Sequence, residues 1–405
     1  NLISPIALIL NFLMWLPVSL AMYSGLGTLV FGPFTALGGK LLGVSCDECL
    51  RLLEQLIAWG REIPYAYLWH PAPPGWLIGV FYALLAIFVA FPALRPRRQW
   101  LAAIAAAWVA AALATSGIGS SMLAQVRPRP LACNFVAVGH GVSVLVELPD
   151  GKNLLYDAGR LGSPLAGVRP VSAVLWSRGI THLDAVVVSH ADADHFNALP
   201  DLLERFDVGV IYVSPVMFER RQPAVEELRR SIERAGVPLR EIHGSQRLIL
   251  GGGVKIEVLH PPRRGVLGSD NANSIVLLIE YAGRRVLLTG DLESPGLDDV
   301  LAEEPLDCDV VLAPHHGSPR SHPSRFAEWS EPETVVISGS QTLGDLRAVE
   351  SVKHSFRLAG AEVYHTAADG CLRVEIAPRG LSARSFRPHV RAVAADANAN
   401  LRQPE

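Results

Sequence analysis

"SHADADHFNAL" occupies Ser189–Leu199 and places two histidines and two aspartates within six positions, His190 to His195. Solvated loops seldom concentrate ligating side chains in this way, and apolar cores exclude them unless they are paired. The residues just before, "LDAVVV" (183–188), form an apolar run that reads as a buried strand. A strand therefore ends at His190 and a loop presents Asp192, Asp194 and His195. Three further apolar runs end the same way. "LLYDAG" (154–159) carries Asp157, "VLLTGD" (286–291) carries Asp291, and "VVLAPHHGS" (310–318) carries His315 and His316. Singly, each has a bland explanation: Asp caps helices, and a lone His is often a satisfied structural residue. Together they describe strand ends converging on a metal centre.

Within "HADADH", His190 and Asp192 can face one way and Asp194 and His195 another, which suits two adjacent divalent cations. Asp291 is placed to bridge them. Neighbours at a strand end tend to point to opposite sides, so one of the adjacent histidines, His315, is expected as a ligand. The other, His316, is expected at the substrate. A carboxylate at Asp192 hardens the site and favours Mn2+ or Mg2+, with Zn2+ still accommodated.

Outward from this centre, Leu131 onward alternates short apolar runs with polar turns. The Pro149-Asp150-Gly151 hairpin is one such turn, and "PAVEELRRSIERAG" (223–236) has helical spacing. Strands recur in two groups with helices between, which predicts two sheets with helices outside. The domain is expected over 131–378, with a disordered tail at 379–405 rich in Arg, Ala and Asn.

The first 126 residues differ. Asn1–Gly39 has no charged residue, and neither does Trp76–Leu94 or Gln99–Val126. A single helix over the first run would be roughly 58 Å long, about twice the hydrocarbon thickness. Two spans broken near Ser24–Gly27 are therefore expected, giving about four spans in an all-α polytopic membrane segment. Asp47–Glu62 reads as an amphipathic helix, either at the membrane surface or packed on its neighbours. Arg127–Pro130 reads as a stiff linker. A first residue other than Met makes the sequence look like a piece of a longer chain. Cys46 and Cys49 form a lone C-x-x-C, weak as a zinc motif and more in keeping with a disulfide or two unrelated thiols. Arg95, Arg97 and Arg98 favour the cytoplasm for their loop, which would put everything after Val126 outside.

The mean hydropathy is +0.27. Only six of the 36 Lys and Arg and four of the 39 Asp and Glu precede residue 126, so the remainder carries about −5. That balance argues against a strongly basic nucleic-acid binder. Arg220, Arg221, Arg229, Arg230, Arg263 and Arg264 would have to line one groove to offset it; a solvated face is the default reading.

These segments resemble the metallo-β-lactamase fold, with its H-x-H-x-D-H, Gly-Asp and final His. More narrowly they resemble ComEC-type competence proteins, channels for bacterial DNA uptake. "VGHGVSVLVELPDGKNLLYDAG", "SHADADH", "NANSIVLLIEYAGRRVLLTGD", "APHHGS" and "NLISPIALILNFLMWLPVSL" carry the likeness over roughly residues 1–375. The resemblance implies an αββα sandwich behind an all-α polytopic segment in the bacterial inner membrane. It implies a hydrolase domain on the extracytoplasmic side that degrades the non-imported strand of DNA, with single-stranded DNA, membrane lipid and other competence proteins as partners. ComEC-type sequences commonly carry Asp where this chain has Asp192. The chain departs from the family at three places. Asp270, Asn271 or Asn273 stands where the fold has a His before the Gly-Asp. His140 and Val142 replace the Gln and Asp of V-G-Q-G-D. Asn197 stands in place of Gly.

The implied chemistry is phosphodiester hydrolysis by two divalent ions. In it Asp194 orients the nucleophile, Asp157 orients a histidine, and His140, His316, Ser318 and Asn273 are available to substrate. The competing readings are a membrane-tethered small-molecule hydrolase and a degenerate domain that serves transport only.

Overall fold

The computed structural model describes residues 2–63, 68–69, 73, 75–113, 129–220, 222–340, 346–378 and 380–387. The chain divides into two compact units, Asn1–Ala72 and Pro73–Glu405.

The first unit is a helical hairpin with a small antiparallel pair, Leu2–Ile3 with Leu68–Trp69. Helix α1 spans Pro5–Phe31, opened by Ser4, whose side chain accepts from the Ala7 amide. Helix α2 spans Ala36–Glu62. The break expected near Ser24–Gly27 is absent. The Ser24 hydroxyl donates to the Leu20 carbonyl at 2.6 Å and Thr28 to Ser24 at 2.8 Å, so these polar side chains are satisfied by the helix itself. The chain turns instead at Gly32–Thr35. There a Cβ on Gly39 would stand 2.7 Å from the Gly32 Cα, so the two helices meet where neither residue has a side chain. Asp47–Glu62, expected as a separate amphipathic helix, is the second half of α2.

Among the described residues one helix is long and apolar enough to cross a bilayer, over Ile9–Phe31. Helices α3 (Gly75–Ala90) and α4 (Arg98–Leu113) have 16 residues each. That is about 24 Å, short of the roughly 30 Å hydrocarbon core. The rest of the uncharged run after Leu113, the start of the Arg127–Pro130 linker and residues 388–405 lie outside the described residues.

From Leu131 the chain builds two sheets. The first contains β1 (Leu131–Phe135), β2 (Val144–Glu147), β3 (Asn153–Tyr156), β4 (Ala185–Val188), β5 (Ile211–Val213) and β6 (Leu239–Glu241). The second contains β7 (Arg247–Leu248), β8 (Lys255–His260), β9 (Val276–Tyr281), β10 (Arg284–Leu288), β11 (Val310–Leu312), β12 (Thr334–Ile337) and β13 (Glu362–His365). Strands β14 (Leu372–Ala377) and β15 (Gly380–Ser385) return to the first sheet, whose order is β6-β5-β4-β3-β2-β1-β14-β15. The second sheet runs β7 through β13 in chain order. Each sheet is antiparallel in one half and parallel in the other; the parallel pairs are β3 to β6 and β10 to β13. Strand β15 pairs along its length with β14. The domain therefore runs past the boundary expected at residue 378, because alternating apolar residues in β14 give β15 a partner.

Alternation sets the layers. Ala185 and Val187 of β4 face the core between the sheets, while Val186 and Val188 face helices outside. The outer helices of the first sheet are α5 (Pro164–Ser177), α7 (Leu199–Leu203) and α8 (Pro223–Ala235). Those of the second are α9 (Gly296–Ala302), α10 (Pro323–Ser330) and α11 (Leu346–Leu358). The result is the expected αββα sandwich. Helix α8 shows the local logic: Pro223 opens it, Gly236 at φ 66° closes it, and Val225, Leu228 and Ile232 form its buried stripe. Its Arg229 and Arg230 pair with Glu226, Glu227 and Glu233 of the same helix. They are a solvated face rather than a basic groove.

Candidate metal centre

The carboxyl ends of β3, β4, β10 and β11 meet at one edge of the sandwich. Strand β4 continues into Ser189, His190 and the short helix α6 (Ala193–Phe196), which holds Asp194 and His195. Glycines allow the ends to close up. A Cβ on Gly159 would lie 2.3 Å from the Asp194 carbonyl oxygen, and one on Gly290 2.9 Å from Ser189. Asp157, His315 and His316 all adopt positive φ, 57°, 50° and 53°. For non-glycine residues that conformation costs on the order of 1 kcal/mol each and persists only where surroundings impose it.

Hydrogen bonds fix three imidazoles by one nitrogen. Buried Asp157 receives the Ser189 amide at 2.7 Å, the Ser189 hydroxyl at 2.8 Å and His195 Nδ1 at 2.8 Å. With its proton committed to Asp157, Ser189 Oγ accepts from His190 Nδ1 at 2.9 Å. His316 Nδ1 donates to the Ser338 carbonyl at 2.9 Å. The neutral rings must then present Nε2 as a lone pair. Those three Nε2 atoms and Asp291 Oδ1 are buried without a hydrogen-bond partner, although His195 Nε2 stands only 3.1 Å from Asp291 Oδ1. The atoms are close but not aimed at one another. Buried polar atoms are almost always paired, so a cluster of orphans pointing at common space fits cations.

Two sets of three ligand atoms result: His190, His195 and Asp291 inside, and His140, Asp194 and His316 nearer the surface. His316 Nε2 lies 3.2 Å from Asp291 Oδ2 and 3.3 Å from Asp194 Oδ2, tying the sets together. Without a cation the cluster polarises itself. Burial opposes charge on Asp291, yet His195 and His316 hold its carboxyl well below the usual range. Burial likewise opposes protonation of His316, but Asp291 and Asp194 raise its pKa to about 9. Asp194 is buried too, but the nearby imidazoles of His316 and His195 bring it down to about 2. The imidazoles are the groups that must be neutral for a cation to bind.

Other anticipated residues fall around this core. Asp157 belongs to neither set and instead holds His195 of the inner one. Asp192 is 44% exposed, with its carboxylate 3.6 Å from His190 Nε2. His315, the expected ligand of its pair, lies outside both sets; its Nδ1 is 3.3 Å from Glu293 and its Nε2 3.9 Å from Asp291. The left-handed turn at His315 and His316 sends the second ring, rather than the first, into the cluster. His140 stacks on His316 at 4.4 Å between ring centroids, inside the outer set rather than beyond it.

The loop before Asp291 does not reach the cluster. The Asn273 amide is consumed by Val266 and Ser269, and Asp270 accepts from Gln222. Asn271 opens a turn of 3-10 helix and belongs to neither set. Ser318 caps the next turn by accepting from the Arg320 amide. It also lines a cavity of about 240 Å3 beside the outer set, shared with His140, His316, Pro319, Val349 and His365.

Sequence reasoning missed several participants. Ser189 precedes the motif and links Asp157 to two rings; small polar residues at strand ends give no such signal. Glu293 receives the Ser269 hydroxyl at 2.7 Å and faces His315. Arg160 follows D-A-G directly, and that adjacency was a usable signal. Its amide donates to Asn197 Oδ1 at 3.0 Å, and Asn197 returns a bond to the Arg160 carbonyl. Its Nε lies 3.1 Å from where a Gly139 Cβ would stand, next to His140.

Comparison with known proteins gives the family. The family described as the metallo-beta-lactamase superfamily matches residues 136–341. Competence protein ComA of Neisseria gonorrhoeae is 27% identical over 397 residues, which is 95% of this chain and 50% of that one. ComE operon protein 3 of Bacillus subtilis is 29% identical over 222 residues, 51% of this chain and 28% of that one. The chain thus spans half or less of the length of these relatives. Among solved structures, zinc-bound PqqB of Methylobacterium extorquens is similar with a TM-score of 0.38 and 14% identity, over 56% of this chain and 85% of that one. The chain belongs to the metallo-β-lactamase superfamily, and the relative it matches along nearly its whole sequence is a competence protein of the ComEC family.

Proposed function

We propose that the αββα domain is a two-metal phosphodiesterase acting on single-stranded DNA during DNA uptake. The observation that carries this is the pair of three-ligand sets with unpartnered Nε2 and Oδ1 atoms sharing one edge of the sandwich. Two divalent cations held by these sets would neutralise charge on a phosphodiester and supply a nucleophile at neutral pH. Mn2+ or Zn2+ suits two-imidazole, one-carboxylate sets, and Mg2+ the carboxylates. The chain's own residues do the rest. Asp157 and Ser189 hold the inner rings in the tautomer that leaves Nε2 free. Asp291 would supply the inner set's carboxylate and faces His316 of the outer set. Asp194, at the outer set, orients the attacking water, while His316 counters charge growing on phosphate oxygens. His315 and Ser318 face the approach to the centre.

In the same reading, residues 1–126 form the end of a polytopic membrane domain, joined by a short linker to the hydrolase domain at 131–387. The hydrolase lies on the extracytoplasmic side of a bacterial inner membrane and degrades the strand that is not imported, alongside other competence proteins. The names of the relatives support the uptake role.

The test is degradation of end-labelled single-stranded DNA by the purified full chain with Mn2+, Mg2+ or Zn2+. Metal-dependent cleavage by the parent and its loss in Asp194→Ala are expected. Equal absence of cleavage in both, with metal bound, would sink the nuclease reading.

A further inference from the structure

The two ligand sets differ in what holds them. His190, His195 and Asp291 are 1%, 0% and 4% exposed, and both inner rings are pinned through Nδ1. In the outer set the side chains of His316, Asp194 and His140 are 7%, 15% and 28% exposed. His140 arrives from the β1–β2 loop, not from a strand end. Its loop is nonetheless fixed. Gly139 and Gly141 have φ of 101° and 147°, and a Cβ on Gly141 would lie 2.5 Å from the Gly159 oxygen and 2.7 Å from that of Asp194. The Leu161 amide donates to the His140 carbonyl at 2.6 Å, and the Ser338 hydroxyl to that of Gly141 at 2.7 Å. A loop this closely packed aims one side chain.

Two ligand atoms, each about 2.1 Å from a tetrahedral cation, stand about 3.4 Å apart. Asp194 Oδ2 is 3.3 Å from His316 Nε2 and 3.8 Å from His140 Nε2. These separations bracket the value. The second is too long for a hydrogen bond. Asp270 and Asn273, from the loop before Asp291, are committed to other partners. We infer that His140 is the third protein ligand of the outer cation, and that this outer cation exchanges more readily than the inner one. The outer ligand class is two imidazoles and a carboxylate, which takes a first-row divalent transition metal. The inference rests on the two-cation reading of the centre.

The experiment strips the full chain with a chelator and titrates it with Co2+. It follows the cobalt absorption spectrum and the cobalt retained per chain after desalting. For the parent, two cobalts are expected, filling in two steps. For His140→Gln, the first step is unchanged and the second is weakened at least tenfold, so one cobalt survives desalting. His140→Cys is expected to recover the second cobalt and to add a thiolate-to-cobalt charge-transfer band, which a packing role would not produce. Two cobalts of unchanged affinity in His140→Gln, with no new band in His140→Cys, would make His140 a stacking neighbour of His316 only. A parent that binds fewer than two cobalts would overturn the two-cation reading itself, a result distinct from a defect confined to the variants.

Discussion

Two buried charged clusters lie in the same sandwich and differ in one respect. At the strand ends, Asp157, Asp291, His190, His195 and His316 leave three ring nitrogens and a carboxylate oxygen unpartnered. On the first sheet, Glu147 is equally buried but complete. It accepts from Asn134 at 2.9 Å and from Arg178 at 3.0 Å, and it pairs with Arg373, which also reaches Glu375. Burial and charge are therefore not what marks the functional site. The mark is hydrogen-bonding capacity left open toward a common point. The complete cluster serves folding and the incomplete one serves a ligand, so substitutions should separate them.

Asp291→Asn should have the largest effect. It removes the only carboxylate of the inner ligand set, which also stands 3.2 Å from His316 of the outer one, and a loss of about 10^3-fold or more in DNA hydrolysis is expected, because metal-supplied stabilisation amounts to several kcal/mol. Metal content should fall with it while the chain stays folded. Activity and thermal unfolding measured on the same preparation check this, and an activity within tenfold of the parent would remove Asp291 from the centre.

Glu147→Gln should do the reverse. It leaves half-buried Arg373 with Glu375 as its remaining carboxylate, at a cost of about 2 kcal/mol for the lost charge-assisted hydrogen bonds, while metal content stays at the parent level. Burial opposes ionisation of Glu147, but Arg178 and Arg373 hold its pKa below the ordinary value. A carboxyl depressed in the folded state contributes stability above its unfolded pKa, and that contribution is lost as pH falls through the folded one. Denaturant midpoints should therefore fall as pH drops below the ordinary carboxylate value of 4.5 in the parent, with a flatter profile in the variant. Parallel profiles would mean that another group governs the acid limb.

Asp157→Asn sharpens the comparison within the site. The amide keeps the shape of the carboxylate but can no longer accept from Ser189 and His195 with a full charge. Groups that orient ligands usually contribute 10–100-fold in metal affinity, and a weakening in that range is expected for the inner cation alone. Competition with a chromophoric chelator measures it; weakening of both cations equally would place Asp157 in a general structural role.

Legibility followed the same divide. The sandwich was readable because period-two alternation, glycine turns and one amphipathic helix agree over 131–378. Asp194, His195 and Asp291 were readable because acidic and imidazole groups rarely end apolar strands. Which of His315 and His316 turns inward was not, since strand alternation stops at Leu312 and positive φ at both histidines inverts it. His140 was named for substrate, because a lone His between glycines carries no sign of what it will face. β15 was hidden by a composition resembling a tail, its partner strand being visible only in the fold. In α1, serine and glycine read as a break because composition does not reveal that Ser24 is satisfied by its own helix.

The smallest effect belongs to Arg160. Its main chain is clamped by Asn197, and its guanidinium lies over Gly139 beside the outer ligand set. Among the described residues no carboxylate pairs with it, unlike Arg229 and Arg230, which spend their charge on their own helix. An unspent guanidinium at the mouth of an anionic-substrate site contacts phosphate as a planar donor rather than as a point charge. Arg160→Ala should raise KM for single-stranded DNA about tenfold, the scale of one charge-assisted hydrogen bond, with kcat and metal content unchanged. Arg160→Lys should recover only part of the loss. Asn197→Gly, which frees the main chain while keeping the charge, should raise KM by less than Arg160→Ala does. Equal effects from Asn197→Gly and Arg160→Ala would show that the clamp, rather than the charge, is what the substrate senses.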